Sequence, residues 1–103
     1  MTNDYMVVLE FSGDDLENYD CVVALETRLE AELESGEIDG HDEGRGIVNV
    51  FINTKNPKEC FKEAMKIMKD VKKEPDAAGC RKLDEEEYVR LWPEDDPTRF
   101  ELK

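Results

Sequence analysis

The sequence predicts an α+β fold, a ferredoxin-like plait (βαββαβ) whose four-stranded antiparallel sheet carries two helices on one face. Three observations predict it. Residues 5–11 are aromatic and β-branched, and residues 47–53 alternate with period two, both as in strands. Apolar residues recur at helical intervals in 22–33 and 61–71. The segments then follow one another as strand, helix, strand, strand, helix, strand. At 103 residues the chain amounts to a single domain, 1–103, with a polar tail from about residue 94.

Each element has its own signal. Tyr5 to Phe11 is aromatic and β-branched, with Tyr5, Val7, Leu9 and Phe11 on one face and Met6, Val8 and Glu10 on the other. Asp14 followed by Glu17 has the spacing of a capping box, and Val22, Leu25, Leu29 and Leu33 continue as a helical stripe to Ser35-Gly36, whose glycine suits a left-handed cap. Glu37 to Gly40 is a short strand, and the glycines of GHDEGRG provide a wide hairpin turn or bulge before the strand Ile47 to Asn53. Asn56 as N-cap, Pro57 at the first helical position and Glu59 at the third start a second helix. Its buried stripe is Phe61, Ala64, Met65, Met68 and Val71, and Pro75 closes it. Ala78 to Leu83 reads as a short edge strand or irregular arm, followed by an acidic turn and a last strand, Tyr88 to Trp92, with Val89 and Leu91 inward.

Charge narrows the function. The net charge is −13, and residues 1–54 carry fourteen acids against Arg28 and Arg45 alone, while 55–103 are nearly balanced. Such a field repels phosphate backbones and anionic lipid, which argues against nucleic acid and membrane as partners. The acidic first helix and lysine-rich second helix lie side by side in a plait, so the plainest use of the split is mutual attraction. No run is apolar enough for a membrane span and no secretion signal opens the chain, so the expected address is cytoplasmic.

The chemistry-bearing residues do not converge on a reaction. His41, the only histidine, stands near Asp39, Asp42 and Glu43, but neighbours in sequence point in different directions and the run lacks the ordered oxygens of a calcium loop. No metal site and no cofactor is assigned. Cys21, Cys60 and Cys80 are odd in number, widely spaced and without a CxxC pair, so they read as free thiols. Carboxylate pairs discriminate nothing where 40% of residues are charged. No catalytic residue is assigned.

The sheet face away from the helices is the better lead. Alternation places Met6, Val8, Asn49, Phe51, Tyr88, Arg90 and Trp92 there. The assigned partner-binding residues are Met6, Val8, Phe51, Tyr88, Arg90 and Trp92, an apolar patch that a monomer rarely leaves in water. RNA-binding plaits surround such aromatics with positive charge, whereas here the surroundings are acidic. The competing expectation is that the tail, through Phe100 and Leu102, folds over the patch.

The run IDGHDEGRGIVNVFINTKNP, a helix, and then YVRLWPED together resemble a family of small bacterial proteins of uncharacterised function. The shared features are a glycine-flanked GH-turn, an NVFI-type strand, an Asn/Asp-Pro helix start and a terminal LWP, over roughly residues 37–95. The resemblance implies a bacterial cytosolic domain and carries over no catalytic residue. The sequence thus favours a noncatalytic interaction module that forms a homodimer or holds a protein partner through its open sheet face. The alternatives are an acidic inhibitor or immunity-type protein that binds a basic partner, and a small-ligand sensor.

Overall fold

A computed structural model describes residues 4–13, 16–93 and 100, with the backbone alone at 16 and 17. Its elements are β1 (Tyr5–Ser12), α1 (Leu16–Glu32), β2 (Gly36–Gly44), β3 (Ile47–Thr54), α2 (Pro57–Asp70), β4 (Ala77–Lys82) and β5 (Val89–Trp92). The architecture is α+β, with two helices and an antiparallel sheet. That sheet has five strands in the order β2-β3-β1-β4-β5, not the expected four. The difference lies in Ala77–Lys82. Ala77, Ala78, Gly79 and Cys80 are all buried, and their small side chains let this segment lie inside the sheet between β1 and β5 instead of at its edge.

One core lies between the sheet and both helices. Val7, Leu9 and Phe11 of β1 and Val48, Val50 and Ile52 of β3 meet Val22, Leu25 and Leu29 of α1 and Phe61, Ala64 and Met68 of α2. Burying a Val or Leu fully contributes about 1.5–3 kcal/mol, so this cluster dominates the fold. The α2 stripe departs from expectation at its end: Val71 is exposed and Ile67 is buried in its place. Val71 is the C-cap, where the helix has already left its period.

The helix ends follow capping chemistry. The Asn56 side chain accepts a hydrogen bond from the Glu59 amide at 3.2 Å, and the Glu59 carboxylate accepts one from the Asn56 side-chain amide at 3.3 Å. At the other end Lys72 takes a positive φ of 57°, while Lys73 N donates to Met68 O and Lys72 N to Lys69 O, a Schellman closure. The expected Asp14–Glu17 capping box lies outside the described residues. Gly36 is not the left-handed cap expected of it. It opens β2 with an ordinary φ, and a Cβ there would meet Cys60 Sγ at 2.8 Å and Ile52 Cγ2 at 2.9 Å, so close packing demands the glycine.

The hairpin also differs from expectation. β2 does not stop at Gly40; it pairs with β3 as far as Gly44, with a bulge at Asp39, and the turn is only Arg45-Gly46. Both turn residues have positive φ, 56° and 74°, as a type I′ hairpin requires.

Candidate interaction face

Five of the six assigned residues, Met6, Val8, Phe51, Tyr88 and Arg90, come together on the face opposite the helices. Phe51, Val8, Gly79 and Arg90 form one cross-strand row, because Val8 pairs with both Phe51 and Gly79, and Gly79 pairs with Arg90. Met6, Val8, Phe51 and Tyr88 gather into a second apolar cluster with Ala77 and Phe100. Val8 is fully buried in it, while Met6, Phe51 and Tyr88 are half-buried. Phe100, only 1% exposed, lies over this face, as the competing reading of the tail expected. Leu102 lies outside the described residues.

Two assignments are corrected. Trp92 does not share this face with Arg90; it packs on the helix side, its ring 6.3 Å from that of Phe61. The reason is a bulge in β5. Arg90 pairs with Gly79 but Trp92 with Ala78, so Leu91 is an extra residue that breaks the alternation and turns Trp92 to the other face. Val89, expected inward, is 64% exposed, because β5 is the edge strand and Val89 stands at its open end.

The face is mixed in charge, not simply acidic. The Arg90 guanidinium sits 5.9 Å from the Phe100 ring and donates to Trp92 O at 3.0 Å. Arg81 sits 5.9 Å from the Tyr88 ring and donates to the carbonyls of Lys82, Leu83 and Glu85. Each ring therefore carries a cation against it, an arrangement that favours aromatic over aliphatic side chains at these positions. Towards β2 the face turns polar: Glu10 and Asn49 are buried, and Asn49 donates to the Asp42 carboxylate at 3.2 Å. Sequence reasoning placed Glu10 with Met6 and Val8 but missed Ala77 and Gly79 as parts of the face. A glycine inside a strand, flanked by Ala78 and Cys80, was the available signal of a close approach.

The remaining chemistry-bearing groups act on the fold. His41 does not turn to Asp39, Asp42 and Glu43. Its Nδ1 lies 3.0 Å from both carboxylate oxygens of Glu26 and its Nε2 3.2 Å from the Tyr19 hydroxyl, which ties β2 to α1. Among the described residues no group of three or more His, Cys, Asp or Glu side chains is placed to hold a metal ion. The Glu63 carboxylate accepts hydrogen bonds from the Ser35 hydroxyl and from the amides of Ser35 and Glu34, and these hold its pKa below the usual carboxylate range. It thereby fastens α2 to the α1–β2 connection. Two hollows, about 790 and 750 Å³, flank Glu59 and Lys62 on α2. Of the carboxylates lining them, Glu59 is engaged in the α2 N-cap and Glu63 with Ser35 and the Glu34 amide.

No protein-family model matches the chain, and no curated protein or solved structure matches it either. No helix among the described residues is long and apolar enough to cross a membrane.

Proposed function

We propose that the chain is a noncatalytic interaction module that uses the open sheet face, either to form a homodimer or to hold a protein partner. The observation that supports this reading is the apolar cluster on that face. Met6, Phe51 and Tyr88 keep part of their apolar surface in water although the main core lies on the other side of the sheet. Covering such surface contributes roughly 25 cal/mol per Å² before the costs of association are subtracted. The guanidinium groups of Arg81 and Arg90 are committed to carbonyls and rings, which leaves the face poorly suited to a phosphate backbone and favours protein over nucleic acid. We read the β2-β3-β1-β4 portion with its two helices as a ferredoxin-like plait that β5 extends at the β4 edge. Membership in the family of small bacterial proteins that the sequence pattern resembles, with a cytoplasmic address, belongs to the same proposal.

Sedimentation velocity tests the main claim. The wild-type chain is expected to dimerise at high concentration, and the chain with Met6→Ser and Phe51→Ser to remain a folded monomer. Trp92→Ser is the control: it lowers stability by removing a ring from the Phe61 contact but leaves the dimer intact. A wild type that stays monomeric, or a double variant that still dimerises, removes the homodimer reading.

A second reading has an observation of its own. Because His41 joins Glu26 across α1 and β2, Glu30 on α1 and Glu34 just past its end adjoin the strand that carries Glu37, Asp39 and Glu43. An acidic side of this kind suits an inhibitor or immunity-type protein with a basic target. Its affinity for that target falls steeply as salt rises, whereas association through the apolar face does not.

A further inference from the structure

We propose that the hollow above Gly79 is a recognition socket for an aromatic side chain on an extended peptide segment, and that Phe100 is its intramolecular occupant. The proposal deepens the open-face reading and rests on it for its biological use. Three features carry it.

The first is shape. A Cβ built on Gly79 would lie 2.4 Å from Phe100 Cδ1 and 2.5 Å from Cγ, so the ring rests on bare backbone and no other residue at position 79 leaves room for it. The floor beside it is Val8 and Ala77, both buried. The second is chemistry. The ring meets Tyr88 edge to face, with centroids 5.4 Å apart and planes at 62°, and the Arg90 guanidinium lies 5.9 Å from its centroid. A ring quadrupole satisfies both neighbours, and an aliphatic side chain satisfies neither. The third is separation. The socket belongs to a small cluster on the opposite side of the sheet from the main core, so exchange of its occupant leaves the α1–α2 packing intact.

Phe100 is joined to β5 by residues 93–99 only, so it competes with any incoming segment at the high effective concentration of a short tether. A successful competitor needs more than one aromatic. Val8 contacts the socket and pairs with Phe51, so a segment carrying a second apolar side chain can reach Phe51 and Met6. The partner that fits is therefore an extended peptide with an aromatic anchor and a nearby apolar residue, and its arrival displaces the Phe100 ring.

The test supplies the key in trans. The full chain with Phe100→Ala is titrated with the peptide Pro-Thr-Arg-Phe-Glu-Leu-Lys, which copies residues 97–103, while amide shifts of Val8 and Gly79 are followed by NMR. The expected result is saturable binding to F100A at least tenfold tighter than to the wild type. Replacing the peptide's Phe by Leu should weaken binding severalfold, and adding Gly79→Val to F100A should abolish it. If F100A does not fold, Phe100→Leu, which keeps an apolar plug, takes its place. Equal binding to wild type and variant, no binding to a folded variant, or indifference to Gly79→Val overturns the proposal. Dimerisation is read separately by sedimentation of the Met6→Ser, Phe51→Ser chain, so the socket and the face can each fail alone.

Discussion

Cys60 and Cys80 are buried and Cys21 is exposed on α1, and that difference decides their chemistry. Burial pushes the Cys60 thiol pKa up, against the pull of hydrogen bonds with Thr54 and Ser35, and it pushes Cys80 up against nearby Lys58. The thiolate is the reactive form, so both are slow on two counts, access and ionisation. Under native conditions a thiol reagent should label Cys21 rapidly and the other two only as fast as the chain opens; in denaturant all three should react. Mass spectrometry of the labelled protein checks this, and rapid native labelling of Cys60 would show that the α2–sheet contact is not as closed as described. Free thiols were legible from sequence spacing. Which of them are shielded depends on packing between distant segments and was not legible from spacing.

At the scale of elements, the β2–β3 hairpin holds the clearest local conflict. Arg45 adopts φ of 56°, a left-handed conformation that costs a side chain with Cβ roughly 1 kcal/mol, in a turn type that prefers Asn-Gly. Arg45→Asn should therefore stabilise the fold by about 0.5–1 kcal/mol, seen as a higher urea midpoint at unchanged slope. No gain would mean that the arginine makes a compensating contact in the folded state. The strands and helices themselves were readable from period and caps: Asn56-Pro57 starts α2 as expected. Two things were not. Ala78 to Leu83 reads as an edge strand or an arm, and not as an interior strand, because nothing local says that β1 has a free edge to receive it. The Leu91 bulge sends Trp92 to the helix side, and strict alternation cannot foresee an inserted residue.

For the whole molecule the governing quantity is a net charge of −13 on 103 residues. The expected attraction between acidic α1 and lysine-rich α2 takes a different form. Among the described residues the ion pair between them runs the other way, from Arg28 of α1 to Asp70 of α2, with Arg28 also held by Glu32. Exposed pairs of this kind contribute about 0–1 kcal/mol, too little to offset the self-repulsion of so many acids. Raising sodium chloride from about 10 mM to 300 mM shortens the Debye length from roughly 30 Å to below 8 Å and should raise the melting temperature. A fall instead would place the α1–α2 charges among the main supports of the fold.

The sequence by itself determined the class of structure, the positions of the helices and of the β1 and β3 strands, and the residues of the main core, because period, caps and turn residues act within a few positions of one another. It also marked Met6, Val8, Phe51 and Tyr88 as members of one face, since side-chain alternation is local. The tertiary structure alone decided the fifth strand, the side on which Trp92 lies, the pairing of His41 with Glu26, and the seat of Phe100 on Gly79. Each of these joins residues distant in sequence, and register and shape complementarity between distant segments leave no periodic trace in either partner.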